Sequence, residues 1–261
     1  MRTVISSHRR AFYGTLLGVA IASGASAQVS TINSAVISSR VFNDVPGATL
    51  NVGTIYQPYP KPSSISFTEQ GVSAPTGFAN RDVWRFSNDS GTSAYQFQNN
   101  DYFSASMTLT LMGSPTSPRK EAGFLFSTFG GDGQFIVNTD AHEIVAFGGP
   151  LPFFAFPATF NSGDTITLGI NYFLDSNTGL RSIIYSANGV NSPILALSNL
   201  EQGIIDGTTL GGYFQIVNDA ADANNSGIAV FRNISITAVP EPSALALLGL
   251  ASLPLLFRRR R

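Results

Sequence analysis

Apolar and polar residues alternate along most of the central part of the chain. In the run 103–111 every second residue is apolar, and the residues between them are serine or threonine. Because successive side chains of a β-strand point to opposite faces of the sheet, this run predicts a strand with one buried and one hydrated face. Similar runs predict further strands at 31–41, 63–69, 83–87, 94–98, 122–129, 134–138, 143–147, 165–173, 181–187, 212–217 and 228–237.

Turn sequences rich in glycine, asparagine and aspartate separate these runs. Asn188-Gly189 predicts a tight hairpin in which both turn residues have positive φ. Only 199–205 indicates a short helix. Many short strands without a long helical period or an internal repeat predict an all-β fold, a two-sheet antiparallel sandwich.

Three stretches, 100–104, 121–135 and 231–236, resemble the strand pattern of concanavalin A-like or laminin G-type jelly rolls. The resemblance extends over about 83–237 without a diagnostic motif. It implies a jelly-roll-like arrangement of the two sheets.

The first residues have the composition of a leader. Basic residues precede the mostly apolar run 11–22, and Ala25 and Ala27 stand just before Gln28. This order predicts a signal helix at residues 1–27, which signal peptidase removes after Ala27. The run is too short for a spanning helix of about 20 residues. Because Arg9-Arg10 also resembles a twin-arginine leader, general secretion and twin-arginine export both stay open.

The last residues combine a short motif, an apolar stretch and a basic cluster. The motif is Pro240-Glu241-Pro242, and the apolar stretch 243–257 ends at Arg258, Arg259, Arg260 and Arg261. As a helix the stretch would reach only ~23 Å, which is short of the ~30 Å hydrocarbon core, so it predicts a short transmembrane helix and a transient anchor. By the positive-inside rule the arginines form a cytoplasmic stop.

These three elements, at 240–261, resemble a PEP-CTERM sorting domain. The resemblance implies recognition by an exosortase-type membrane peptidase, transient anchoring in the inner membrane, and release to the cell envelope or the extracellular space. An ordinary tail anchor, in which the two prolines merely end a strand, is the alternative.

The terminal segments leave a central domain at 28–239, which we take as one β-domain. Seven of the 15 basic residues lie in the two ends, whereas only Glu241 of the 16 acids does, so this domain carries a net charge of about −7. That sign argues against nucleic acid as a partner. The chain has no cysteine, and His142 is the only histidine outside the leader, so disulfides and histidine-rich sites are excluded.

The candidate catalytic groups are few. The glutamates Glu69, Glu121, Glu143 and Glu201 are isolated in sequence, and no Gly-x-Ser-x-Gly motif accompanies His142. We therefore expect no catalytic residues and no enzymatic activity: the expectation is a noncatalytic envelope or biofilm-matrix protein associated with extracellular polysaccharide. A lectin-like carbohydrate-binding module and an exported glycosidase are the alternatives.

Two further segments are candidate binding sites. Phe153, Phe154 and Phe156 lie in a proline-bounded segment and could stack on sugar rings, although aromatic residues of a sandwich, Trp84 among them, more often pack in the core. A loop with Asp219, Asp222 and Asn224 could hold a structural calcium ion, or these residues could simply form turns. No other cofactor is expected.

Overall fold

The computed structural model describes residues 29–55, 62–128, 130–197 and 206–239. The predicted leader with Ala25 and Ala27, the motif Pro240-Glu241-Pro242, the terminal arginines and the predicted helix at 199–205 lie outside these ranges. In the part that is described, no helix is long and apolar enough to cross a membrane.

Within these ranges the strands form two antiparallel sheets, which confirms the predicted all-β sandwich with a jelly-roll-like arrangement. The seven-stranded sheet has the order β1 (Ser34–Asn43), β4 (Ala79–Ser87), β14 (Thr209–Val217), β6 (Lys120–Thr128), β7 (Gly131–Asn138), β8 (Ile144–Phe147) and β9 (Phe154–Ala155). The eight-stranded sheet has the order β12 (Val190–Asn191), β11 (Arg181–Ala187), β10 (Thr165–Leu174), β5 (Phe103–Ser114), β15 (Ser226–Ala238), β3 (Ser64–Gln70) and β2 (Thr49–Ile55), and β13 (Leu195–Ala196) pairs with β11. The last two strands of the chain, β14 and β15, therefore occupy interior positions.

The core lies between the inner faces of the two sheets. The run 103–111 falls within β5, and its apolar residues are at most 1% exposed. Trp84 is fully buried between Phe86 and Phe231, with ring centroids 5.2 and 5.9 Å away. Gly212 allows this packing, because a Cβ there would lie 2.5 Å from Trp84 Nε1. The expectation that Trp84 is a core residue is confirmed.

The observed strands differ from the predictions at several places, and the short strands β9, β12 and β13 are among those not predicted. The segment 94–98 is not a strand and forms one isolated bridge, Phe97 to Thr208. Strand β2 was not predicted: its alternation is limited to Leu50 and Val52, and nearly all its residues are exposed. The hairpin prediction is confirmed: φ is 48° at Asn188 and 82° at Gly189, between β11 and β12.

A buried charged cluster joins the two sheets at one end. The Arg40 side chain donates to both carboxylate oxygens of Glu69, at 3.1 and 2.9 Å, and its backbone N–H donates to Asp82 Oδ1 at 2.8 Å. Arg40 has a φ of 50° at an irregularity in the pairing of β1 with β4, which frees its N–H for this bond. Glu69 and Asp82 are fully buried, and burial raises both pKa values, that of Asp82 to about 6.

A buried lysine lies at another edge of the core. Lys120 is fully buried, and its Nζ donates to the carbonyl of Pro115 at 2.6 Å. Its aliphatic part runs beside Gly113 and Gly227, where a Cβ would lie 2.9 and 3.1 Å from Lys120 carbons. Burial lowers the Lys120 pKa to about 8, although Asp219 and Asp222 oppose this shift.

Candidate functional site

The outer face of the seven-stranded sheet carries a group of polar side chains. Residues of one strand separated by two share a face, and paired residues on neighbouring strands share it too. Arg81 pairs with Gln215 and Gln215 with Glu121, while Tyr213, two residues from Gln215, pairs with Val83. Arg85 lies two residues beyond Val83 on β4. We call this group, Arg81, Arg85, Glu121, Tyr213 and Gln215, the arginine–tyrosine face.

Two glycines show that neighbouring strands approach closely on this side. A Cβ at Gly211 would lie 1.8 Å from the carbonyl oxygen of Trp84, and a Cβ at Gly123 would lie 2.1 Å from that of Phe135. Both positions lie on the same side of the sheet as Tyr213, by the pairing of β14 with β6. The absence of side chains therefore permits the sheet to curve around this face.

The Tyr213 hydroxyl and the Glu121 carboxylate form the centre of the face. The hydroxyl donates to Glu121 Oε1 at 3.1 Å, and Gln215 Nε2 donates to the same oxygen at 3.0 Å. The Gln215 side chain is oriented by Arg81, whose Nε donates to its Oε1 at 2.8 Å. Burial, together with the neighbouring Glu121, raises the pKa of Tyr213 well above its usual value, so the phenol is protonated. Burial also raises the pKa of Glu121.

An ion pair covers the tyrosine. The Arg81 guanidinium lies over the Tyr213 ring, 5.3 Å from its centroid, and Arg81 Nη1 is 3.2 Å from Asp132 Oδ2. Asp132 lies near the start of β7, three strands away from β4, which carries Arg81. For the two side chains to meet, the turn between β6 and β7 must bend towards this face. Tyr213 is 0% exposed, and it also packs in a buried hydrophobic cluster with Val83, Leu125, Ile136 and Val145.

Arg85 is held differently from Arg81. Its Nε donates to the Thr209 hydroxyl at 3.1 Å and its Nη2 to the Ser127 hydroxyl at 3.3 Å. In the described ranges no carboxylate lies within ion-pair distance of it. Burial lowers its pKa, but an arginine stays charged in proteins. Arg85 is therefore a cation that a ligand carboxylate could pair with.

A third arginine, Arg119, forms ion pairs with three carboxylates, one of which is Glu121. Arg119 Nε is 2.9 Å from Asp140 Oδ1, and its terminal nitrogens are each 3.7 Å from one oxygen of Glu121 and of Glu143. Two of the glutamates that are isolated in sequence thus converge on one guanidinium. Glu69, by contrast, belongs to the buried cluster with Arg40, and Glu201 lies outside the described residues.

The structure separates the three phenylalanines proposed as sugar contacts. Phe153 is 71% exposed, Phe154 is half-buried, and Phe156 is 7% exposed. The ring of Phe156 packs against Phe135 and Phe154, with centroids 5.9 and 4.9 Å away. Only Phe153 presents a free ring, and its role in carbohydrate contact stays a prediction.

The proposed calcium loop is built from turns. Asp219 Oδ1 accepts from the N–H of Ala221, and Asp222 Oδ1 accepts from the N–H of Asn224. Among the described residues, no group of three or more His, Cys, Asp or Glu side chains could hold a metal ion. His142 is exposed just before β8, and its Nδ1 lies 2.9 Å from the carbonyl oxygen of Phe160.

The fold and the site define a jelly-roll β-sandwich with a polar group on the outer face of one curved sheet. No family model matches the chain, and no curated protein matches it. Among solved structures it is similar to an alginate lyase from Pseudomonas aeruginosa, at 15% identity over 68% of this chain and 83% of that one, with a TM-score of 0.52. It is also similar to the polysaccharide lyase family 7 alginate lyase AlgAT5, at 10% identity over 68% and 79% of the two chains, with a TM-score of 0.49. An alginate lyase from Corynebacterium sp. matches at 11% identity over 81% and 96%, also with a TM-score of 0.49.

These neighbours correct the functional expectation. The prediction of a noncatalytic envelope or matrix protein was wrong, because a solved structure that shares this fold is an alginate lyase. The prediction rested on the isolation of the acids in sequence and on the absence of a motif. At these identities the likeness itself establishes the fold alone, so the chemistry has to be argued from the residues.

Sequence reasoning did not single out the arginine–tyrosine face. The available signal was spacing within single strands: Arg81 and Arg85 each stand two residues from Val83 in β4, and Tyr213 and Gln215 stand two apart in β14. Such residues share one face of a strand. The strand order that brings β4, β14 and β6 side by side was needed to see them as one group.

Proposed function

We propose that this domain is a polysaccharide-degrading enzyme that cleaves a uronate-containing polymer by β-elimination at the arginine–tyrosine face. The observation that carries the proposal is Arg85, a half-buried guanidinium on the same face as the Tyr213–Glu121 pair. Its side chain is hydrogen-bonded to two hydroxyl groups, and Asp132 interacts with it electrostatically without forming an ion pair. The fold shared with alginate lyases supports the choice of substrate class.

The chemistry requires three functions, and the face has a group for each. Arg85 would neutralise the uronate carboxylate, which acidifies the hydrogen on C5. Glu121, whose raised pKa makes its carboxylate a stronger base, would take this proton while the bond from C4 to the bridging oxygen breaks and a C4–C5 double bond forms. Tyr213 would give its proton to the leaving oxygen and recover one from Glu121 through their 3.1 Å hydrogen bond.

Substrate access requires the ion pair above Tyr213 to open. Arg81 and Asp132 retain 24% and 38% of their side-chain exposure. Because pairs this exposed contribute only about 0–1 kcal/mol, opening costs little free energy. A bound polymer carboxylate could replace Asp132 as the partner of Arg81.

The test is an assay of the purified protein on alginate and polygalacturonate. Ultraviolet absorbance of the unsaturated uronate reports elimination. We expect Tyr213→Phe, Glu121→Gln and Arg85→Met each to lower the rate by about a hundredfold. Tyr95→Phe is the matched control, because Tyr95 is also buried and donates to a carboxylate, Asp101, at 2.8 Å, outside this face. Absence of an unsaturated product from both polymers, with a folded protein, would overturn the proposal.

Hydrolysis is the second candidate. It is favoured by the convergence of Glu121 and Glu143 on Arg119, since glycosidases use two carboxyl groups. New reducing ends without the absorbance of a double bond would support it, and Glu143→Gln would then abolish cleavage.

We further propose that the protein is exported and that an exosortase-type peptidase recognises Pro240-Glu241-Pro242. This proposal rests on the order of motif, apolar stretch and arginines in the sequence. The intact mass of the mature protein, compared with a triple-alanine variant of the motif, tests it. A tail that is retained in both proteins would contradict sorting.

A further inference from the structure

A groove of about 440 Å³ opens on the outer face of the eight-stranded sheet, on the opposite side of the sandwich from the arginine–tyrosine face. Its floor is a row of small residues in register: Gly169 pairs with Ser106 on β5 and with Ser186 on β11, and Ser186 pairs with Asn191 on β12. We call it the serine groove and define it by Ser104, Ser106, Gly169, Asn171, Ser186 and Asn191.

The depression follows from the sizes of these side chains. Gly169 leaves the centre of the row empty, and a Cβ there would lie 2.4 Å from Ser186 Oγ. The serines on both sides project only one hydroxyl each. Asn191 on the edge strand is exposed and borders the opening, so a ligand can enter from solvent.

The lining has the chemistry of a sugar site. Serine hydroxyls and asparagine amides alternate in it with apolar groups such as Ile184 and Val239, and none of the described residues that line the groove is charged. A saccharide ring offers both hydroxyl groups and an apolar C–H surface. The volume lies within the range of small-molecule sites, about 300–1,000 Å³.

One lining atom has an unmet hydrogen bond. Asn171 Oδ1 is buried, and no described residue donates to it. A buried polar atom without a partner is rare in native structures and is costly. Asn171 lines the groove, so a rotation of its amide towards the opening would let a ligand hydroxyl supply the missing donor.

The sheet surface around the groove is also rich in hydroxyl groups. Outward positions on the neighbouring strands are mostly serine or threonine, and Thr110 and Thr165 bond to each other through their hydroxyls at 2.7 Å. Further outward hydroxyl residues are Ser64, Ser66, Thr68, Thr108, Thr167, Ser235 and Thr237. An uncharged polymer could therefore extend beyond the groove without meeting a carboxylate among these positions.

We propose that the serine groove binds an uncharged saccharide. The site is independent of the cleavage proposed for the other sheet, because it uses different residues on the opposite face. The absence of charge in the lining separates its ligand class from the uronates expected at Arg85.

The test is a titration of the isotope-labelled protein, followed by amide chemical shifts. The probes are neutral hexasaccharides of β-1,4-glucan, β-1,3-glucan, α-1,4-glucan and β-1,4-mannan, with an alginate hexasaccharide beside them. We expect at least one neutral probe to shift the amides of Ser106, Gly169 and Asn171. Asn191→Trp, which covers the opening from an exposed position, and Ser186→Val should each weaken this binding by about tenfold or more.

Thr68→Val is the matched control, because it removes a hydroxyl from the same sheet face three strands away from β10. It should leave binding unchanged. Failure of every neutral probe to shift the groove at millimolar concentration would overturn the proposal, as would shifts produced only by the alginate probe. Polyuronate cleavage measured in Asn191→Trp separates the two sites: retained cleavage with lost neutral binding is the expected result.

Discussion

The guanidinium of Arg81 lies over the ring of Tyr213, 5.3 Å from its centroid. Two other contacts of Arg81, to Gln215 at 2.8 Å and to Asp132 at 3.2 Å, hold it there. One side chain therefore orients the amide that contacts Glu121 and also covers the phenol. If the face is catalytic, Arg81 controls both the arrangement and the accessibility of its central pair.

Asp132→Asn should make Tyr213 more accessible. The substitution removes the charge that holds Arg81 over the ring, and because the pair is partly exposed it should cost at most about 1 kcal/mol of stability. We expect tyrosine fluorescence to be quenched faster in Asp132→Asn than in wild type, and this increase should disappear when Tyr213→Phe is added. The KM of Asp132→Asn on polyuronate should be lower. Asp164→Asn, an exposed acid that contacts Asn161, is the control. An unchanged quenching rate would show that Arg81 stays in place without Asp132.

The Glu69–Asp82 pair should make stability fall as the pH rises. Burial raises the pKa of Asp82 from an ordinary value near 3.9 to about 6, and Arg40 is the cation that faces the pair. The folded state therefore binds more protons than the unfolded state between these values, so its advantage is complete below pH ~4 and is lost as the pH passes ~6. The change is on the order of 3 kcal/mol.

Urea unfolding across this pH range measures that change. In Asp82→Asn the decrease should become smaller, because the remaining carboxylate of Glu69 is paired with Arg40. The shared burial of the two acids would be contradicted if the free energy of unfolding rose between pH 4 and 7 in both wild type and Asp82→Asn.

Because of Lys120, the free energy of unfolding should rise with pH above about pH 8. Its folded pKa is lowered to about 8 by burial, so between pH ~8 and ~10 the unfolded state binds more protons and stability rises with pH. We expect Lys120→Met to abolish this rise. At pH 7 the variant should be within about 1 kcal/mol of wild type or more stable, because it fills the same space without a buried charge. Strong destabilisation at pH 7 would indicate that the bond to Pro115 is worth more than the desolvation that it requires.

Gly211→Ala should destabilise the domain by about 3 kcal/mol or more. Its Cβ would lie 1.8 Å from the Trp84 carbonyl oxygen, so the two strands would have to separate. Gly53→Ala is the matched control: its Cβ would meet only the Ser66 hydroxyl, at 2.6 Å, and a serine side chain can rotate away. Thermal unfolding of the two variants measures the difference, and similar midpoints would contradict a close approach at Gly211.

The sequence was most informative where one strand carries the whole pattern. The alternation in 103–111 predicted β5 and its buried face, because burial of one strand face depends only on spacing within that strand. Strand β2 has only the short alternation of Leu50 and Val52, and it was not predicted. The arginine–tyrosine face was missed for another reason: Arg85, Glu121 and Tyr213 lie on β4, β6 and β14, and only the strand order makes them neighbours.

The cover above Tyr213 could not be predicted either. The residues around Asp132 were taken as a turn, and the ion pair depends on how the β6–β7 end folds over a curved sheet. Curvature depends in turn on Gly123 and Gly211, each of which looks in sequence like an ordinary glycine within a strand. Gly211 packs against Trp84 on a strand far away in the chain, and Gly123 packs against Phe135 on the next strand. Neither close approach is visible in the sequence around the glycine.

The interior positions of β14 and β15 determine when the domain can form. Strand β14 pairs with β4 and β6, and β15 pairs with β5 and β3, so each late strand bridges strands that were synthesised much earlier. The seven-stranded sheet is not continuous until β14 has been made, and the eight-stranded sheet is not continuous until β15 has been made, so the first half of the chain lacks its central partners until then. Contacts so distant in sequence form slowly. A nascent chain of this protein would therefore depend on molecular chaperones during synthesis, and it would become stable only in one late step.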